Sequence, residues 1–423
     1  MVIIESSAHF KDFLEVFATH KSFMHIVQCD SDKHPLNDYP SLIYFRINKQ
    51  SYVLPIKHSE CSEMTIEILL HLNTKQDVYV IDSKKTKHYV PGNFYDLRQL
   101  AHDTGKEIVD IEDFYTMAHL FFRRKQTKDF NVYVPLVKHV EMCEELFTYY
   151  EDLMDKTPND FYQEGNDVFS KIERNGIKVN KNIKNYDKHI SKEDFVFSDY
   201  NLLTSTGRPS NTFANLNFAA LSKKDDSRDF ITTRFDKGIL VEYDYDAYHL
   251  RLIAKLVDYD FGQESVHEHF SKIFNVDYNE AKTMSFRYLY GGIPKEISDS
   301  YEFFGKVKTY SDKLYQKVKQ TNILQTDIYN RQIRINQKDF YASKLFNYKI
   351  QNLETETNLK TLVKLSEFLE PYESKLIMYH YDSFLFDFSI NDSTECIDGI
   401  KSILEREGHP VKMKRGMNYG EMN

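Results

Sequence analysis

Residues 376–388 read LIMYHYDSFLFDF. Strand formers flank one turn-like point, Tyr381-Asp382-Ser383, so the stretch reads as two short strands bent at Asp382. A carboxylate among aliphatic and aromatic side chains is costly unless it is paired, holds a cation or sits at a wet sheet end. A turn aspartate and a metal ligand both meet that description. A second carboxylate at an equivalent place elsewhere favours the metal.

GILVEYDYDAYHLRLIAKLV (238–257) supplies one. Ile239 to Tyr243 reads as a strand, with Asp244 at its C-terminal end. A helix follows, with Asp246 as its expected N-cap and Tyr248, Leu252, Ile253 and Leu256 as its apolar stripe. Two carboxylates brought to one sheet end repel each other unless a cation lies between them. Hard oxygen ligands suit Mg²⁺, which also takes phosphate oxygens. As plain structure, each aspartate caps or turns. A third stretch, AKTMSFRYLYGGIPKEI (281–297), places Lys282, Phe286 and Tyr290 on one helix face and ends at Gly291-Gly292. That stripe suits a nucleoside triphosphate, ammonium to phosphate and rings to sugar and base. It also suits ordinary core packing.

The chain has 423 residues, enough for two or three domains with cores of their own. Hydrophobic residues are 41% and charged residues 28%, as in ordinary globular proteins. No apolar run approaches the roughly 18 residues of a membrane span, and MVIIESSAHF lacks the layout of a signal peptide. Cys29, Cys61, Cys143 and Cys396 form no CxxC pair, so a reduced cytoplasmic protein is expected. A net charge of −9 gives no whole-chain attraction to nucleic acid, and any such site must be local.

Along the first third, residues 41–58 read as two strands joined at Asn-Lys-Gln, 64–72 as a short amphipathic helix and 77–82 as a strand. Together they predict a compact α/β domain ending near residue 140. Residues 138–156 read as a long helix joining the two halves. Residues 160–180 read as a helix stopped by Gly176.

Taken in order, these segments resemble family A DNA polymerases, the group of bacterial DNA polymerase I and many bacteriophage replicative enzymes. TSTGRPSNTFANLN (204–217) is similar to the segment that grips primer–template, VEYDYDAYHLR (241–251) to motif A and KTMSFRYLYGG (282–292) to motif B. NYKIQN (347–352) resembles the Asn-x-x-x-Gln segment, YHYDSFLFDF (379–388) motif C, and RGMNYGEM (415–422) the closing stretch. The resemblance implies an α/β right-hand polymerase over 141–423, with palm at 239–261 and 370–423 and fingers at 262–300. On the same resemblance the thumb would be nearly absent, reduced to 181–203, and a degenerate, ribonuclease H-like exonuclease-type domain would occupy 1–140.

The resemblance also implies roles. Asp244 and Asp382, with the Tyr245 carbonyl, would hold two Mg²⁺ ions, and Lys282 would contact the triphosphate and protonate the leaving group. His267 would contact phosphate, Phe286 would face the sugar and Tyr290 would stack at the templating position. Arg208 would reach the primer end, and Asn347, Gln351 and Tyr381 the primer–template. The implied activity is DNA-templated addition of dNTPs to a primer, with a processivity or replisome protein as a further partner and no membrane association.

Several residues depart from the family pattern. His249 stands where cellular members carry the Glu that blocks a ribose 2′-OH, so sugar selection is open. Tyr278 replaces an Arg, Arg287 a Gly, and Ser383 the third carboxylate of motif C. In FMHIVQCDSD (23–32), Gln28 replaces the first exonuclease carboxylate and Asp30 the second, so no proofreading is expected. Asp110, Glu112 and Asp113 are candidates for a rearranged site. Two other readings remain: a single-subunit RNA polymerase relative, and a non-catalytic accessory protein that binds primed DNA.

Overall fold

The structure, a computed structural model, describes residues 1–62, 64–72, 77–180, 183, 186–223, 225–262 and 265–422. The chain forms two compact units. Unit 1 comprises 1–200 and 211–220, and unit 2 comprises 201–210 and 221–423.

Unit 1 is built on a six-stranded mixed sheet of β1 (Val2–Ile3), β2 (Ser22–Gln28), β3 (Pro40–Ile47), β4 (Gln50–Pro55), β5 (Val78–Val80) and β6 (Tyr95–Asp96), ordered β1-β4-β3-β2-β5-β6. The expected hairpin is present, β3 pairing antiparallel with β4 around Asn48, whose φ is 54°. Side chains alternate across a strand, so each face has its own core. Met24, Ile43, Phe45 and Leu54 meet Phe10, Phe13 and Phe17 of α1 (Ser7–Phe17). On the other face, Phe23, Leu42, Tyr44 and Val53 meet α3 (Leu97–Thr104), which follows the short α2 (Ser83–Lys87). That face also packs against α5 (Leu136–Tyr150), the next helix after α4 (Met117–Arg124).

The helix expected to join two halves is thus part of the core of unit 1, which continues past residue 140 through α6 (Asp160–Asn175). Gly176, at φ 63°, stops α6 as expected. Residues 66–71 form a 3-10 helix rather than an α-helix. Residues 181, 182, 184 and 185 of the expected thumb remnant lie outside the described residues. The described part of 181–203 contains a 3-10 turn at Asp187–His189 and strand Phe195–Val196, which pairs with Ile177–Lys178, but no α-helix.

Three histidines lie buried beneath α4 and α5. Thr116 N–H and the Thr116 hydroxyl meet His119 Nδ1 at 3.3 and 2.8 Å, and His119 Nε2 faces His139 Nδ1 at 3.3 Å. His139 Nε2 then meets the Asn131 carbonyl at 2.8 Å. Each carbonyl contact needs an N–H, so the tautomers align in one direction and no ring nitrogen is left to take a proton. His58 is satisfied in the same way by Val134 O and Glu60 N–H. Burial accordingly lowers His119 to about 4 and His139 to about 3, and lowers His58 too. Folded values below the ordinary 6.5 mean that the unfolded chain binds more protons once pH drops below that value. Stability is therefore complete above pH 6.5 and is lost as pH falls toward 4, with a limiting slope of about 1.4 kcal/mol per pH unit for each histidine. The urea midpoint of unit 1, followed through its tyrosines, is expected to drop steeply between pH 6.5 and 5. A midpoint constant over that range would contradict the relay.

Unit 2 carries a four-stranded antiparallel sheet of β7 (Ile239–Tyr245), β8 (Lys375–His380), β9 (Ser383–Phe388) and β10 (Val411–Gly416), ordered β8-β9-β7-β10. Helices α7 (Tyr248–Leu256), α8 (Val266–Phe274), α9 (Tyr278–Gly291), α10 (Lys295–Ser300) and α11 (Glu302–Thr321) pack around Phe270, Phe303, Phe304 and Leu289. The long α12 (Ala342–Phe368) is buried through much of its length and has no single apolar face: Asn352, Glu354, Glu356 and Asn358 are all buried. The structure ends with α13 (Ser393–Glu405) and then β10.

Candidate active site

The bend at the opening stretch is built as expected. β8 and β9 form a hairpin whose tip is Tyr381-Asp382, with Tyr381 at φ 61°. Asn358, fully buried on α12, holds that strained turn. Its amide donates to the Tyr381 carbonyl (2.6 Å) and meets the Tyr379 hydroxyl (3.0 Å), while its oxygen accepts from Tyr248 (2.7 Å) at the start of α7.

Strand register brings the two aspartates together. Asp244 pairs across the sheet with Ser383, and Tyr245 N–H donates to the Asp382 carbonyl at 2.9 Å. Burial raises the Asp244 carboxyl to about 6, with the charge of Asp382 next, against Lys223 and Lys412. Asp382 is raised as well, by burial and then by Glu354. Carboxylates held up in this way gain from a cation that removes the repulsion. The donor set is oxygen only and suits a hard divalent ion.

Both aspartates line a cavity of about 240 Å³ with Arg208, Tyr245, His249, His267, Lys282 and Phe286, so eight of the residues singled out in the sequence converge. Lys282 is exposed and, among the described residues, has no ion pair. His267 is 3% exposed, its Nδ1 lacks a hydrogen-bond partner, and burial and then Lys282 lower it to about 4. Phe286 stacks on Tyr290 at 5.9 Å with an interplanar angle of 8°. The Tyr290 hydroxyl bonds His249 Nδ1. Arg208 lies 3.6 Å over the Tyr381 ring. Asn347 and Gln351 bond each other (3.1 Å) on α12 and are not among the cavity residues.

Other residues in the site went unread in the sequence. Glu354, 1% exposed, lies 3.0 Å from Arg208 Nε and 3.1 Å from His249 Nε2, so one carboxylate from α12 stands against both side chains. Glu242, 2% exposed, accepts from Ser383 (3.1 Å) and Tyr419 (2.8 Å), which puts a third carboxylate against the position where the motif lacks one. Only alternation along the strand, two residues before Asp244, could have drawn attention to it. Asp246 is not the N-cap of α7. Ala247 takes that place at φ 51°, and Asp246 instead pairs with Lys412 (2.5 Å) and Arg251 (3.4 Å). Gly207 of the 204–217 segment, at φ 71°, takes a backbone conformation that other residues adopt only with strain, and a Cβ there would meet the Arg331 guanidinium.

A 12% identical solved structure, described as the POL domain of Pol1 from M. smegmatis in complex with DNA primer-template and dNTP, aligns over 99% of both chains at a TM-score of 0.72. The chain has the fold of a DNA polymerase domain. That is the α/β polymerase architecture expected from the sequence, and 165 solved chains match in all. No family model and no curated protein matches. No helix among the described residues is long and apolar enough to cross a membrane.

A second cluster in unit 1 has metal-ligand chemistry: His34, His88 and Glu173 bring donor atoms within 4.8 Å of one another. Most of its donor atoms are engaged within the protein, His88 Nδ1 being the buried exception without a hydrogen-bond partner among the described residues. His34 Nδ1 accepts from Leu36 N–H and its Nε2 donates to Ser198 O, while His88 Nε2 meets Glu173 at 2.9 Å. The cation here is the Lys84 ammonium, 2.7 Å from Glu173 and 2.5 Å from Asp199.

The unit 1 cavity near Gln28 is lined by Asp82, Asp110 and Glu112, and also by Lys85 and Arg98. Arg98 pairs with Asp82 (3.2 Å) and Asp110 (3.4 Å). Asp30 is not among the cavity residues, and its charge lies 3.8 Å from Lys33.

Proposed function

We propose that the chain is a DNA-templated DNA polymerase that adds dNTPs to a primer 3′ end. One observation carries this reading: Asp244 and Asp382 meet at one sheet end, in a cavity that also presents the Lys282 ammonium and a His267 nitrogen, neither with a partner among the described residues. Asp244, Asp382 and the Tyr245 carbonyl would hold two Mg²⁺ ions, which would supply positive charge at the 3′-hydroxyl and at the departing pyrophosphate. Lys282 takes the triphosphate and offers the leaving group a proton. His267, kept neutral, donates a hydrogen bond to phosphate. His249, held between Tyr290 and Glu354, is a fixed wall beside the sugar and fills the space of the missing motif A carboxylate. Arg208, braced by Glu354 and Tyr381, reaches the primer end. Unit 1 acts without exonuclease chemistry, because Arg98 and Lys85 already stand among the acidic groups of its cavity. The lack of an α-helix among the described residues of 181–203 favours a partner protein that helps hold the DNA.

The direct test is extension of a labelled primer on a longer template by the purified chain with Mg²⁺ and dNTPs. Failure to extend under any divalent ion sinks the reading. Incorporation of NTPs in preference to dNTPs would favour an RNA polymerase.

Phe286, with a bare ring facing the cavity, offers no hydrogen bond to replace a missing 3′-OH. Phe286→Tyr is expected to raise dideoxynucleotide incorporation, relative to dNTP, by roughly ten- to a hundredfold, the worth of one hydrogen bond to a charged group. Chain-termination ratios measure it. An unchanged ratio would mean that residue 286 does not face the sugar.

A further inference from the structure

Helix α4 of unit 1 is anchored inside and loaded outside. His119 on its inner side is fully buried in the histidine relay. Its outer side carries Met117 (75% exposed) and Phe121 (56% exposed), with Arg124 and Lys125 following three and four residues on, along the same face. The Phe121 ring meets Phe122 at 5.3 Å, and Phe122 meets Tyr133, itself 49% exposed, at 6.4 Å. Three rings thus form a continuous row within ordinary aromatic contact spacing.

Cations flank the row. Arg123 is taken by Asp32 at 2.7 Å. Arg124, Lys125 and Lys128 are exposed and, among the described residues, have no ion pair. Lys125 Nζ stands 5.8 Å from the centre of the Phe121 ring. In a chain of net charge −9, this is a local reversal of sign. Exposed rings beside unpaired cations match a ligand that carries flat faces and a phosphate every residue. A duplex offers the phosphates but hides the base faces.

We propose that this face binds single-stranded DNA without sequence preference, Phe121 and Tyr133 stacking on bases while Arg124, Lys125 and Lys128 take backbone phosphates. The site lies wholly in unit 1 and does not rest on the polymerase reading.

The test is binding of a labelled oligothymidine to the full-length chain, followed by fluorescence anisotropy across a salt series. Phe121→Ala with Tyr133→Ala is expected to weaken binding by roughly ten- to a hundredfold, leaving the salt slope unchanged. Arg124→Ala, Lys125→Ala and Lys128→Ala together are expected to reduce the slope of log K against log salt by about 2. Phe121→Tyr should retain affinity, and all variants should keep the parent's thermal transition, since the altered side chains are exposed. Photo-cross-linking of a bromodeoxyuridine oligonucleotide is expected to mark a peptide within 117–133. No binding by the parent chain, unchanged affinity and slope in both variant sets, or cross-links only in unit 2 would overturn the proposal. So would tighter binding of oligouridine, or a parent that self-associates through this face while the variants do not.

Discussion

Asp244→Asn or Asp382→Asn is expected to lower Mg²⁺-dependent primer extension by about a thousandfold or more. Each exchange removes one unit of negative charge from the place where, on the proposed reading, two cations meet the reacting phosphate. Metal stabilisation at such a centre is worth several kcal/mol, and 1.36 kcal/mol is tenfold in rate. Asparagine keeps the shape, so the hairpin tip and the Tyr245–Asp382 backbone hydrogen bond remain. The same exchange removes a repulsion: Asp244 is pushed up to about 6 by burial and by its neighbour, Asp382. Stability measured without metal is therefore expected to hold or rise in the very variants that lose activity, the signature of a site strained for function. Single-turnover extension and thermal unfolding, run on the same preparations, provide both readouts. Parent-like extension by either variant would remove these residues from the chemistry. Lost extension together with a collapsed thermal transition would reduce them to structural residues.

Lys84→Met is expected to destabilise unit 1 by about 3–5 kcal/mol, the usual cost of removing one partner from a buried ion pair. Lys84 is 6% exposed and Glu173 1%, and the ammonium serves Glu173 and Asp199 at once. Methionine matches the stem but takes the ammonium from both carboxylates: Asp199 loses the charge that holds its carboxyl low, and Glu173, which burial already raises to about 7, must take up a proton. The neighbouring histidines cannot stand in, since burial lowers His34 and His88 to about 3. Adding Asp199→Asn to Lys84→Met should recover part of the loss, because one of the uncompensated charges is gone. Urea unfolding at pH 7 measures both. A loss below about 1 kcal/mol would show that the carboxylates find another cation, and titration of the variant with Zn²⁺ would then tell whether His34, His88 and Glu173 hold one.

The strands that carry Asp244 and Asp382 and the helix of Lys282 were legible because each carries its signal locally. Near-continuous runs of strand formers around Asp244 and Asp382 specify strands, and the four-residue spacing of Lys282, Phe286 and Tyr290 specifies a helix face. Asp246 misled because Asp before an apolar stripe is the usual cap signal, whereas here Lys412 and Arg251 take its carboxylate and Ala247 makes the turn. Residues 138–156 read as one long helix, of which the part to Tyr150 is α-helix and 151–153 a 3-10 turn, but helical periodicity does not say which core the helix joins. Contacts of Cys143, Leu146 and Tyr150 with the sheet place it in unit 1.

By itself, then, the sequence determined the element types, the two aspartates at strand ends, the lysine–aromatic face and the resemblance they compose. All of these are properties of a few adjacent residues and their spacing. Tertiary structure alone decided that Glu354 braces Arg208 and His249, that Glu242 backs Ser383, that Asn358 pins the hairpin tip and that the Lys84 ammonium stands against Glu173. Those partners lie between 89 and 146 residues apart or, like Asn358 and Tyr381, on separate elements 23 residues apart. A buried charge or a strained turn is stabilised by whichever group the fold brings within hydrogen-bonding distance, and no local pattern encodes which one that is.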